Sequence, residues 1–149
     1  MMTTMTVGEI EALIPHRPPM RLVDAVLERE GARIVTTKTF TPDEWFFQGH
    51  YPGTPLVPGV ILCECGMQAG AILLAGFAAE AEPGSVPVAT RLDNVRLKQM
   101  VRPGDTITCD VTLTERVSGA FYLTCKMSRD GRSVARFDFA CTMAPGPAA

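Results

Sequence analysis

Two side chains in this sequence carry chemistry at a cost that needs a reason. Glu64 lies within the run GVILCECGMQAGAILLAGFAA, residues 59–79, where every other residue except Gln68 is apolar or glycine. A carboxyl among apolar neighbours must be paired, hydrogen-bonded or protonated, and burial favours its neutral form. That form is the one a general acid uses near neutral pH. The plain alternative is a glutamate solvated at a gap in the packing. Gln68 follows one helical turn later on the same face, where its amide could orient the carboxyl.

The second candidate is His50, fourteen residues before Glu64 in Gly49-His50-Tyr51-Pro52-Gly53. A lone loop histidine is often structural, but here proline and glycine can fix a tight backbone path that feeds into the start of the apolar run. Free amides at a helix start, with the helix dipole behind them, stabilise negative charge on an oxygen. Gly59, with no side chain, would let a carbonyl approach those amides. A base, an acid and an oxyanion site are the minimum set for removing a proton next to a carbonyl.

The elements that must position these groups are legible in outline. Pro58 suits the first turn of a helix over 59–79, with acidic residues and Pro83 beyond it. A helix apolar all round is either a membrane span or a central helix buried by a sheet. Glu64 and Gln68 would sit in hydrocarbon if it were a span, and no basic residue flanks either end. The buried helix is the better reading. Residues 6–14 form a short amphipathic helix stopped by Pro15, and strands are expected over about 20–30, 33–40 and 86–98. Segment 41–57, which carries His50, is too rich in proline and glycine for a regular element.

Period-two alternation is clearest near the C-terminus. Ile107, Cys109, Val111 and Leu113 alternate with threonines and Asp110; Phe121, Leu123, Cys125 and Met127 repeat the pattern, and so do Ala135, Phe137, Phe139, Cys141 and Met143. Ser118-Gly119 and Asp130-Gly131 mark the hairpin turns between them. The fold class is α+β, an antiparallel sheet wrapped around one long helix. One domain spans residues 1–149, with a frayed tail over about 144–149.

Composition excludes several classes. Hydrophobic residues make up 46% and charged residues 20% of the chain, a globular balance, and a net charge of −2 offers no basic face for nucleic acid. The first residues have neither the basic nor the apolar region of a secretory signal, so a cytoplasmic protein is expected. Five cysteines without a C-x-x-C pair fit a reducing compartment. Cys63 and Cys65 point roughly 200° apart on a helix, and only two histidines accompany the cysteines, so no metal site is expected. Cys109, Cys125 and Cys141 read as small buried hydrophobes.

Taken in order, these residues resemble the 3-hydroxyacyl-acyl-carrier-protein dehydratases of bacterial fatty-acid synthesis, which have the hot-dog fold. The resemblance begins at Ile14-Pro15-His16-Arg17-Pro18-Pro19. It passes through Phe46-Phe47-Gln48-Gly49-His50-Tyr51-Pro52-Gly53-Thr54-Pro55 and Pro58-Gly59, then Glu64 and Gln68, and ends at Val101-Arg102-Pro103-Gly104-Asp105. The run G-H-[FY]-P-G-x-P-x-x-P-G, with a carboxylate fourteen residues after its histidine, is far more specific than its parts. Glutamate there resembles the general dehydratase branch, whereas the branch that also isomerises the double bond usually has aspartate. Tyr51 stands where phenylalanine is usual, and Cys63, Cys65 and Gly66 also depart from the pattern.

The resemblance implies a homodimer with its sheets joined and its active sites at the interface, and leaves a trimer of dimers open. His50 of one protomer would take the proton next to the thioester, Glu64 of the other would protonate the departing 3-hydroxyl, and the Gly59 amide would hold the thioester oxygen. No cofactor is implied. The partner would be an acyl carrier protein bearing a phosphopantetheine-linked substrate, or else a coenzyme A thioester. Arg91, Arg96, Lys98 and Arg102 could supply a basic rim to steer an acidic carrier. His16 reads as a packing and hydrogen-bonding residue. The rival functions are a hot-dog acyl thioesterase and a non-catalytic acyl-binding module.

Overall fold

The computed structural model describes residues 4–77 and 81–146. Its elements run α1 (Val7–Glu11), β1 (Ala25–Glu30), β2 (Arg33–Thr39), a 3-10 turn (Trp45–Phe47), α2 (Gly59–Ala75), β3 (Ser85–Leu97), β4 (Thr106–Val117), β5 (Ala120–Arg129) and β6 (Arg132–Pro145). The strands form one antiparallel sheet in the order β1-β2-β4-β5-β6-β3, and α2 packs along it.

Alternation in the sequence becomes two faces of the sheet. Ile107, Cys109, Val111, Phe121, Leu123, Cys125, Met127, Phe137 and Phe139 are buried against α2. Asp110, Thr112, Thr124, Lys126, Arg136 and Asp138 line polar grooves on the outer side. Both hairpin turns have two successive residues at positive φ, Ser118 (48°) with Gly119 (84°) and Asp130 (52°) with Gly131 (77°). That backbone matches the twist of the flanking strands.

Helix α2 approaches the sheet closely because two of its residues lack side chains. A Cβ at Gly66 would come within 2.5 Å of Phe137 and 2.7 Å of the Cys125 sulfur, and one at Gly70 within 2.6 Å of Phe139. The phenylalanines of β6 press into these gaps. The departure at Gly66 is thus a packing feature, matched by the rings opposite it.

Four boundaries differ from expectation. Strand β1 starts at Ala25 and not near 20, because the backbone at Met20 and Leu22 hydrogen-bonds to Gln68 instead of to a strand. The first helix is shorter than 6–14, running from an N-cap at Thr6 whose hydroxyl and amide both meet the Glu9 carboxylate. Helix α2 ends at Ala75; Gly76 and Phe77 turn back to Leu73 and Leu74, and Arg29 donates to the Leu73 carbonyl at 3.4 Å. The expected last residues of that helix, 78 and 79, lie outside the described residues. The tail is not frayed from 144, since Ala144 and Pro145 pair with Val86 and Ser85, while 147–149 lie outside the described residues. No helix among the described residues is long and apolar enough to cross a membrane.

Candidate active site

The histidine loop is held from beneath. Phe46 and Phe47 are buried, and Phe46 meets Phe40 edge-on with centroids 5.9 Å apart. Glu44, just before the 3-10 turn, forms a nearly buried ion pair with Lys38 of β2 at 2.7 Å. Tyr51 adopts φ 55°, which bends the chain directly after His50 and stacks the two rings edge to face. His50 Nδ1 lies 3.0 Å from the Leu56 carbonyl oxygen. A carbonyl only accepts, so in the neutral ring Nδ1 carries the proton and Nε2 keeps a free lone pair. That is the arrangement of a base. His50 opens on an apolar cleft of about 610 Å³ with Trp45, Phe46, Gly49, Pro58, Val60 and Ile61.

Pro58 caps α2, and its carbonyl accepts from the amides of Ile61 and Leu62 at 2.9 and 3.2 Å. The Gly59 and Val60 amides precede these and have no acceptor within the helix, which is the requirement for an oxyanion site. Gly59 also packs beneath Leu97, at the end of β3; a Cβ there would run into the Leu97 methyl. Leu97 is exposed and its methyl can swing aside, so this contact alone does not require glycine here.

Glu64 is held on the same helix by Gln68, which is itself fixed to the backbone of the segment before β1. Gln68, 1% exposed, receives the Leu22 amide on its Oε1 at 2.7 Å and donates from Nε2 to the Met20 carbonyl at 2.7 Å and to Glu64 Oε2 at 2.8 Å. A flipped amide would set N–H against N–H and oxygen against oxygen, so the orientation is fixed. Glu64 Oε2 is consequently an acceptor, and the proton of the neutral acid belongs on Oε1. The carboxyl opens on a cleft of about 290 Å³ lined by Pro15, His16, Met67, Ala71, Cys141 and residues 86–89 of β3.

The two clefts share no lining residue. One chain thus brings Glu64 together with Gln68 and His16, and His50 with the helix start, but does not bring His50 and Glu64 into one cleft. The basic residues also separate. Arg91 pairs with Asp93 at 2.6 Å in a groove on the outer face of the sheet, away from either cleft. Lys98 and Arg102 are exposed near the helix start, where the Val57 amide meets the Val101 carbonyl at 2.8 Å; Arg96 faces Arg136 across β3 and β6. Sequence reasoning set His16 aside. The structure places its Nε2 3.7 Å from Glu64 Oε2, a proximity across 48 residues of chain that no local pattern signals.

An antiparallel sheet around a buried helix, with a histidine lone pair at the helix start and a glutamine-held carboxyl on that helix, defines a hot-dog protein of the dehydratase type. Residues 14–138 match the FabA-like domain, and the chain belongs to that family. It is 49% identical over 110 residues to the 3-hydroxyacyl-[acyl-carrier-protein] dehydratase FabZ of Oenococcus oeni, covering 73% of this chain and 78% of that one. It is 43% identical over 111 residues to the protein of that name from Clostridioides difficile, covering 74% and 77%. Among solved structures, a dehydratase heterocomplex, ApeI:P, from Xenorhabdus doucetiae shares the fold with a TM-score of 0.77 at 17% identity, covering 91% of this chain and 90% of that one. A hypothetical thioesterase protein with coenzyme A from Streptococcus pneumoniae shares it at a TM-score of 0.63 and 12% identity, covering 83% and 87%.

Proposed function

We propose that this protein is a hydro-lyase that dehydrates 3-hydroxyacyl thioesters on acyl carrier protein to trans-2-enoyl thioesters, in fatty-acid or related lipid synthesis. The observation that carries the reading is the pairing of chemical states: His50 with a bare Nε2, and Glu64 with one oxygen clamped and the other free for a proton. The curated relatives bear the same activity in their names. His50 Nε2 takes the proton from the carbon next to the thioester. Negative charge gathers on the thioester oxygen, which the Gly59 amide receives. The bond from C3 to oxygen breaks, the hydroxyl takes the Glu64 proton and leaves as water, and the double bond remains. His50 then loses a proton to solvent and Glu64 regains one.

The acting species is a homodimer. Strand β3 is thirteen residues long and lies at the sheet edge, and Val88, Leu92, Val95 and Leu97 on it are exposed. A long apolar edge calls for a partner strand. Two β3 strands paired about a twofold axis run antiparallel, so the 86–89 end of one, which lines the Glu64 cleft, lies towards the Leu97 end of the other, which covers Gly59 beside the His50 cleft. His50 and Gly59 of one protomer therefore serve Glu64 of its partner. Lys98 and Arg102 are near that helix start and suit the approach of an acidic carrier, whereas Arg91 and Arg96 lie apart from it. All five cysteines are unpaired and buried, which fits a cytoplasmic protein.

Crotonyl thioester distinguishes the readings when enoyl absorbance and free thiol are followed together. Hydration removes the enoyl signal alone. Release of thiol indicates a thioesterase, and the absence of both indicates a binding module; either result overturns the proposal.

A further inference from the structure

His16 is not accounted for by the base, the acid or the oxyanion site. It lies in the segment following α1, lines the Glu64 cleft and is about one quarter exposed on its side chain. Its two ring nitrogens have different surroundings. Nδ1 is buried, and among the described residues it meets no hydrogen-bond partner. Nε2 faces the cleft 3.7 Å from Glu64 Oε2.

These surroundings select a tautomer. A neutral imidazole has one N–H and one bare nitrogen, and stranding a donor in a buried position without an acceptor costs more than stranding a lone pair. The proton therefore belongs on Nε2, which makes His16 a donor aimed into the cleft. At 3.7 Å this N–H is beyond a direct hydrogen bond to the carboxyl. A hydroxyl oxygen set to the side of the line between them can accept from the ring N–H and from the carboxyl O–H at once.

We infer that His16 is a further catalytic residue, whose Nε2–H holds the 3-hydroxyl oxygen of the substrate while Glu64 protonates it. This rests on the dehydratase reading and deepens it. In the elimination the bond from C3 to oxygen breaks, and the electron pair stays on the departing oxygen. That oxygen takes a proton from Glu64 and a hydrogen bond, with no proton transfer, from His16. The ring enters and leaves the step unchanged. Charge grows on this oxygen as the bond lengthens, so the hydrogen bond is stronger in the transition state than in the bound substrate.

Two measurements test this. Nitrogen-15 NMR of imidazole-labelled protein reads the tautomer directly; the expected result is Nε2–H for His16 and Nδ1–H for His50, and an Nδ1–H tautomer at His16 overturns the inference. Turnover of 3-hydroxybutyryl thioester by His16→Gln, which keeps an amide N–H near Nε2, is then compared with that by His16→Leu, which has none. His16→Leu should lose kcat by about ten- to a hundredfold with KM changed far less, and His16→Gln should recover most of it. Equal loss in both variants with unchanged melting indicates a requirement for the ring's shape, and retained turnover in His16→Leu shows no role; each overturns the inference. Wild-type protein is the internal reference: if it does not dehydrate this substrate at all, the dehydratase reading fails, and if it does while His16→Leu keeps pace, only the role of His16 fails.

Discussion

The clefts of His50 and Glu64 each contain a histidine, and the two rings are set in opposite senses. His50 gives its Nδ1 proton to the Leu56 carbonyl and presents a lone pair; His16 buries an Nδ1 without a partner and presents a donor. The partner of Nδ1, not the residue type, decides which way a histidine works. The clefts also differ in construction. His50 sits on a loop held by the Lys38–Glu44 pair and two phenylalanines, whereas Glu64 is clamped on a helix pressed against the sheet. On the proposed reading, the loop histidine and the helix carboxyl would form one site only when two chains bring the clefts together.

The largest effects come from removing either proton-transfer group. His50→Ala and Glu64→Gln should each lower dehydratase turnover by about 10²–10⁴-fold while the protein stays folded. Near-wild-type rates in either would end the assignment. Unfolding and refolding the two inactive variants together should then restore about a quarter of wild-type activity. Half of randomly assembled dimers are mixed, and each of those has one intact site. If both groups acted within one chain, every site would be defective and nothing would return.

The clamp offers the next test. Gln68→Met keeps the volume but removes all three hydrogen bonds, leaving the Leu22 amide and the Met20 carbonyl unpaired. We expect kcat to fall about tenfold with KM little changed, and a stability loss of about 1–3 kcal/mol in urea unfolding. A stability loss with normal kcat would show that the clamp holds the chain and not the acid. Gly66→Val should destabilise by about 1–3 kcal/mol or more, because the new methyls meet Phe137 and Cys125.

Much of the fold is legible in the sequence. Alternation in 106–143 specified the three-stranded meander and its turns, because a half-buried strand has a period of two. The burial of most of α2 and the oddity of Glu64 within it followed from the residue types of the run. Three things were not readable. The start of β1 depends on Gln68 taking the Met20 and Leu22 backbone, a contact across 46 and 48 residues. Arg91 shares a strand with Arg96, but bulges in β3 between Ala89 and Arg91 and between Asp93 and Arg96 alter which side each faces. The place of His16 beside Glu64 arises from tertiary packing, and its N-terminal motif says nothing about what it touches.

The smallest expected effect concerns the Glu64 cleft, which Cys141 lines together with Met67 and Ala71; among the described residues the His50 cleft has no thiol. Burial pushes the Cys141 thiol up from 9.0 to about 11. The folded protein therefore holds this proton more tightly than the unfolded chain does. By linkage, the stabilising contribution is complete below about pH 9, the unfolded value, and is lost as pH rises through the folded value near 11. By about pH 10 the loss from this group alone should be about 1 kcal/mol. Burial raises the Cys65 thiol, and a hydrogen bond that the neutral Cys125 thiol donates to Cys109, together with burial, raises that of Cys125, so both act in the same direction. Urea midpoints at about pH 8 and pH 10 should fall less in Cys141→Ala than in wild type, whatever the packing cost of the substitution at either pH. Turnover at neutral pH should stay within a few-fold of wild type, since the thiol lines the cleft without joining the proton transfers. An equal fall in both proteins would mean that Cys141 is open to solvent in the assembled enzyme, and that the Glu64 cleft is less closed at its floor than its packing against β6 requires.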